Sequence, residues 1–146
     1  MDSPCLIPGD SAVDDRGKLT FVNGFDFTGI KRAYTVSNHR VGFVRGWHGH
    51  KIEAKYASVV TGASLFGIVV IDDWDEPSKS LEVARFVLSE DKPSALYIPP
   101  GHAHGFMNLT ADTIVTFYST STLDDSLNDD YRYEARYWDC WSVEER

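Results

Sequence analysis

The chain is short of several features that would direct it to particular compartments or partners. It has two cysteines, Cys5 and Cys140, one near each end and neither in a paired spacing. That excludes a disulfide framework and suits a reducing compartment. No apolar run is long. The longest, around residues 65–71, falls far below the roughly 20 residues of a membrane-spanning helix. The opening MDSPCLIPGD has neither the basic start nor the apolar core of a secretory signal, so a soluble, cytoplasmic protein is expected. Positive charge is also in deficit. The formal net charge is −8, which argues against nucleic acid and anionic membrane surfaces as partners. An anionic ligand would need a local basic pocket to overcome that field.

No sustained helical period is present. Short β-rich runs recur instead, separated by Gly, Pro, Asn and Asp. The pattern predicts strands over residues 19–22, 30–36, 43–47, 55–60, 64–71, 81–88, 95–98, 105–109 and 113–119. Many short strands with regular turn signals indicate an all-β sandwich or barrel, and no linker divides the 146 residues, so one domain is expected. Thr61-Gly62 reads as a hairpin turn between two strands. Residues 72–80 read as a polar loop and residues 122–130 as an acidic surface loop. The segment at about 131–142 is dense in aromatics: Tyr131, Tyr133, Tyr137, Trp138 and Trp141. It is expected to close the core or a subunit interface, with a platform for a nucleotide base as the functional alternative.

Two motifs carry chemistry. The first is Arg45-Gly46-Trp47-His48-Gly49-His50-Lys51. Side chains alternate along an extended segment, so His48 and His50 point the same way. Paired imidazoles on one face suit either metal binding or proton transfer. The second is Pro99-Pro100-Gly101-His102-Ala103-His104-Gly105-Phe106-Met107-Asn108.

Together these motifs resemble the cupin superfamily. Its second motif, Pro-x-Gly-x-x-His-x-x-x-Asn, is supplied by Pro99, Gly101, His104 and Asn108; its first by Gly42, His48, His50 and Gly62. The resemblance implies a double-sheet β-barrel, or jelly roll, with both motifs lining its mouth. Seven residues before Gly62, where a metal cupin places a glutamate, stands Lys55. A lysine ammonium is no ligand and repels a divalent ion. Glu53 lies two positions off register. Three histidines can by themselves hold zinc, yet the lysine favours a site without metal and without cofactor.

Within the cupins the chain resembles the deoxysugar epimerases, typified by dTDP-4-keto-6-deoxyglucose 3,5-epimerase. The resemblance covers about residues 13–142, through the Arg-Gly-x-His run with its following lysine and through IPPGHAHGF; Asp15-Arg16-Gly17 and Tyr118 match family elements more loosely. The short dTDP-sugar 3,4-ketoisomerases are also similar, in Arg-Gly-Trp-His-Gly-His-Lys and in Ile30-Lys31-Arg32-Ala33-Tyr34. Both families begin by lifting the proton beside the ketone of a nucleotide-diphosphate-linked 4-keto sugar. A fixed charge near the carbonyl oxygen stabilises the resulting enolate. The resemblance implies His48 as base, with His50 beside it and Lys55 supplying the charge. It implies Tyr118 as proton donor, with Tyr34 as the competing choice. Arg45, assisted by Arg16 from a neighbouring subunit, would hold the diphosphate, and His104 and Asn108 would contact substrate. A homodimer is expected. The longer epimerases orient their histidine with an aspartate from a C-terminal region for which this chain is too short. Asp72 and Asp73 are the stand-ins, which the sequence does not position.

Overall fold

The computed structural model describes residues 2–146. Twelve strands are β1 (Cys5–Pro8), β2 (Asp10–Asp14), β3 (Gly17–Phe21), β4 (Arg32–Val36), β5 (Val44–His50), β6 (Lys55–Thr61), β7 (Ala63–Val70), β8 (Ala84–Ser89), β9 (Ser94–Ile98), β10 (His102–Asn108), β11 (Ile114–Ser119) and β12 (Tyr131–Arg132), with one short helix, α1 (Leu123–Leu127). They form a five-stranded sheet in the order β1-β9-β6-β11-β4, a second in the order β12-β5-β10-β7-β8, and a separate β2-β3 hairpin. Every pairing is antiparallel. This is the jelly-roll barrel expected from the motifs.

Alternation along the strands sorts the apolar residues into two layers. Between the sheets lie Ala57 and Val59 of β6, Phe66 and Ile68 of β7, Leu96 and Ile98 of β9, Phe106 of β10, and Val115 and Phe117 of β11. The second layer covers the outside of the β5-β10-β7 surface, where Trp47, Leu65, Val69, Ala103 and Met107 meet Trp138 and Trp141. The aromatic tail is thus a cover for one sheet face. Its polar atoms are satisfied as it packs: the Trp47 and Trp141 indole N–H groups both donate to the Ala135 carbonyl, at 3.1 and 2.8 Å. Trp138 donates to the Ser78 carbonyl at 2.9 Å and Tyr133 to the Trp74 carbonyl at 2.8 Å, so the tail also pins the 72–80 loop. Gly67 and Gly105 are needed beneath it. A Cβ on Gly67 would stand 2.8 Å from both Cys140 Sγ and Trp47.

Several sequence expectations are corrected. Thr61-Gly62 does not close a hairpin. Its flanking strands lie in different sheets, so it is the corner where the chain leaves one layer for the other. Gly62 has φ +81°, and a Cβ there would strike the Thr110 and Thr113 hydroxyls. The 122–130 segment is a surface loop only in part, because Thr122 caps the helix α1 through Asp125 N–H. Strands β1, β2 and β12 are additions to the expected set. β2 is exposed throughout and so lacks the half-buried alternation that marks a strand; β12 is two residues long.

Candidate active site

β5 and β10 lie side by side at the mouth of the barrel, with His48 opposite His104 and His50 opposite His102. The pairing slips between Phe106, which faces Arg45, and His104, which faces His48. Gly46 and Trp47 of β5 therefore share the single place opposite Gly105 of β10. Without that bulge, Arg45 and His48 would point to opposite faces; with it both enter one pocket. Gly46 permits the approach, since a Cβ there would lie 2.9 Å from Gly105 Cα.

The pocket, of about 270 Å³, is lined by His48, His50, His104, Tyr34, Lys55, Arg45 and Arg32, and by Phe117, Leu123, Asp130 and Arg132 among others. The cations Arg32, Arg45, Lys55 and Arg132 thus face it against the carboxylate of Asp130. In a chain of net charge −8 this is the local basic site that an anionic ligand requires.

Lys55 is buried, 7% exposed, and its ammonium donates to the Tyr34 oxygen at 2.9 Å. The phenolic hydrogen of Tyr34 is left free for another acceptor. Beneath them lies Glu53, 2% exposed. Its carboxylate accepts from Ser126 at 2.7 Å, from Arg32 at 3.2 Å and from the Ser119 hydroxyl, and lies 4.0 Å from Lys55 Nζ. Burial raises its pKa, but the serine hydrogen bonds and the Lys55 charge outweigh burial and leave it below its ordinary value. Glu53 is the anchor of the cationic floor.

The three histidines differ in their surroundings. His50 Nδ1 meets the Asp129 carbonyl at 2.6 Å, while Asp129's carboxylate accepts from the Lys51, Ile52 and Glu53 amides at 2.7, 2.9 and 2.9 Å. His104 is buried with Nδ1 unpaired, and burial followed by the Lys55 charge holds it well below the usual imidazole range. His48 is lowered to about 4, first by burial, then by Arg132 and Lys55, against the opposing pull of Asp130. His50 is lowered too, by burial and then by Lys55. All three are held neutral at pH 7, the state a general base requires.

Three expected site residues are not in this pocket. Tyr118 sits on the outer face of its sheet, packed on Phe25 and Phe27 at ring distances of 5.1 and 5.7 Å. Ile114, Thr116 and Tyr118 do share a face, but Phe117 on the other face lines the site. The space between the sheets and the pocket are one and the same side. Tyr34, stacked on Phe117 at 5.2 Å, is the tyrosine in the pocket. Asn108 is buried at the end of β10 away from the lining; its side-chain oxygen accepts from Asn38 at 3.2 Å, and Asn38 in turn accepts from Arg45 Nε. Asn108 thus reaches Arg45 through Asn38 and is not part of the pocket lining. Arg16 lies at the tip of the β2-β3 hairpin, paired with Asp14 at 2.6 Å and exposed. Asp72 and Asp73 cap backbone amides in their own loop and orient no histidine. Conversely, Asp130 and Arg132 line the site without having been singled out by the sequence motifs, and Arg32 lines it without having been given a role. Arg32 stands in the Ile-Lys-Arg-x-Tyr run, where alternation with Tyr34 is the available signal.

The sequence profile of the dTDP-4-dehydrorhamnose 3,5-epimerase family matches residues 13–136. The chain belongs to that family. A curated member from Sinorhizobium fredii, named dTDP-4-dehydrorhamnose 3,5-epimerase, is 32% identical over 84 residues, which is 56% of this chain and 43% of that protein. The chain thus matches less than half the length of that relative. Among solved structures, a dTDP-4-dehydrorhamnose 3,5-epimerase from Sulfolobus tokodaii is 26% identical with a TM-score of 0.76, covering 97% of this chain and 82% of that one. A variant of the 3,4-ketoisomerase QdtA from Thermoanaerobacterium thermosaccharolyticum, in complex with TDP, is 25% identical with a TM-score of 0.68, covering 94% and 93%. Epimerase family members and a ketoisomerase thus share the architecture found here. Among the described residues no helix is long and apolar enough to cross a membrane.

Proposed function

We infer that the chain epimerises a carbon beside the ketone of a nucleotide-diphosphate-linked 4-keto sugar. The observation that carries this reading is the convergence of His48, Lys55 and Tyr34 in one cationic pocket. Neutral His48 removes the proton α to the ketone. The developing oxyanion is met by the Lys55 ammonium, held in place by Glu53 and fixed before the reaction begins. Tyr34, whose oxygen already accepts from Lys55, returns a proton to the enolate. Arg45, steadied by Asn38 and Asn108, and Arg132 hold the diphosphate, consistent with the TDP bound by the ketoisomerase relative. His50 and His104 shape the floor.

No metal or cofactor enters this chemistry. Lys55, Arg32, Arg45 and Arg132 supply the cationic environment, and Glu53, the acidic residue nearest the histidines in sequence, is already engaged by Ser119, Ser126 and Arg32. We assign the protein to the cytoplasm and to a homodimer. The exposed hairpin, with Val13 75% and Leu19 64% exposed on its two opposite faces, would pack one of these faces against the partner and carry Arg16 toward the partner's pocket.

One observation favours a second reading, the 3,4-ketoisomerase. Tyr34 is the sole tyrosine lining the pocket among the described residues. Epimerisation needs a donor across the ring from His48, whereas moving a proton from C3 to C4 works from one face. NMR of dTDP-4-keto-6-deoxyglucose incubated with the protein in deuterated water distinguishes the two. Deuterium with inverted stereochemistry next to the ketone supports epimerisation. A ketone moved to C3 supports ketoisomerisation. No deuterium and no product overturns both.

A further inference from the structure

β12 runs antiparallel to β5 with Arg132 directly opposite His48 and Tyr131 opposite Gly49. Directly opposed residues share a face of the sheet, so the Arg132 side chain enters the pocket beside His48. Asp130, two residues earlier, lines the same pocket. Its carboxylate accepts from Arg132 Nε at 3.0 and 3.3 Å. The two terminal amino groups of that guanidinium make no hydrogen bond among the described residues, and the arginine side chain is 69% exposed. The segment that carries this pair is rigidly fixed, because the preceding Asp129 caps three amides of the 51–53 turn and holds His50. The His48 ring, in contrast, makes no hydrogen bond among the described residues. A base without a partner for its second nitrogen is neither oriented nor held in one tautomer.

We propose that Arg132 is a diphosphate-operated gate on the base: a bound diphosphate draws the Arg132 guanidinium onto its oxygens, and the released Asp130 carboxylate accepts the ring N–H of His48. This rests on the pocket's being a nucleotide-sugar site. A guanidinium takes phosphate oxygens through two parallel N–H groups, a geometry that the present contact to Asp130, made through Nε alone, leaves unused. The groups acting on His48 are Asp130 and Arg132 from β12 and the residue before it, Lys55 from β6, His50 from its own strand, and His104 and Arg45 around the pocket. Of these, only the Asp130–Arg132 pair is both at the pocket lip and free to rearrange. Burial first, and then Arg132 and Lys55, hold the imidazole low. With Arg132 withdrawn and Asp130 turned inward, it becomes a stronger base at the moment substrate is present.

The test is histidine NMR on the full chain. The His48 titration is assigned by its loss in His48→Asn and followed without and with saturating thymidine diphosphate, and again with inorganic pyrophosphate. The expected result is a His48 midpoint raised by at least one pH unit on binding either probe. In Asp130→Asn the rise shrinks to the part due to the diphosphate's own charge, at least ten-fold smaller in proton affinity than in the parent, while the probe still binds. In Arg132→Gln the midpoint is already raised without probe, and the probe binds at least ten-fold more weakly. Should Asp130→Asn not fold, Arg132→Gln carries the test alone. A parental midpoint unmoved by saturating probe, an equal rise in Asp130→Asn, or no binding of either probe would overturn the gate. No turnover is measured. A chain that shows the shift but no deuterium exchange keeps the gate and loses the epimerase reading.

Discussion

Glu53→Gln removes one charge from the most enclosed ionic cluster in the protein while keeping the side chain's shape. In the parent that carboxylate, 2% exposed, faces Arg32 at 3.2 Å and Lys55 at 4.0 Å and accepts from Ser119 and Ser126. With the neutral amide in place, two cations lose their counter-charge. One of them, Lys55, is only 7% exposed and has Tyr34 as its one remaining polar partner. Removing one member of a buried pair typically costs about 3–5 kcal/mol, because the other is left uncompensated. For a chain of this size that corresponds to a melting temperature lowered by roughly 10–15 °C. Urea denaturation at pH 7 should show a lower midpoint with an unchanged slope. The sign of the pH effect follows from the depressed Glu53 pKa. Its stabilisation is present above the ordinary carboxylate value of 4.5 and fades as pH falls through the lower native value. The gap between parent and variant should therefore narrow toward pH 3. A Glu53→Gln variant as stable as the parent at pH 7 would refute the view of Glu53 as the anchor of the site's cations.

Tyr34→Phe should retain deuterium exchange at the substrate while forming little product, whereas Tyr118→Phe, on the far side of its sheet, should turn over at the parental rate; the two variants compared by NMR decide which tyrosine belongs to the site. His48 carries a depressed pKa of about 4 against an ordinary 6.5, so the unfolded chain takes up its proton first as the solution is acidified. Stability is complete above pH 6.5 and declines toward pH 4, by up to about 3 kcal/mol from this residue alone, and His48→Asn should flatten that part of a urea-midpoint profile. Exhaustive chelation should leave turnover unchanged. Stoichiometric zinc, iron or manganese lost together with activity would contradict the metal-free chemistry.

The barrel was legible because alternation, turn residues and the two histidine motifs all pointed the same way. His48 and His50 share a face as period-2 geometry demands, and Lys55 lies on the neighbouring sheet facing them. What failed has physical causes. Tyr118 does share a face with Ile114 and Thr116, but that face is the outer one, and alternation alone cannot say which face is the interior. Asn108 keeps the motif spacing, yet its contact with Arg45 passes through Asn38, 70 residues away in sequence. Asp130 and Arg132 were invisible because β12 is two residues long and the acidic run before it reads as a solvated loop. Their importance comes from the β12-β5 pairing, a long-range contact with no local signal.

The central claim, that His48 lifts a proton beside a sugar ketone, is tested most directly by deuterium wash-in. The parent protein and His48→Asn are incubated with dTDP-4-keto-6-deoxyglucose in deuterated water, and label next to the ketone is followed by NMR. The parent should incorporate deuterium. His48→Asn, with an unchanged circular dichroism spectrum, should do so roughly 10²–10⁴-fold more slowly, the contribution of a positioned general base. Incorporation at the parental rate in that variant would contradict the account.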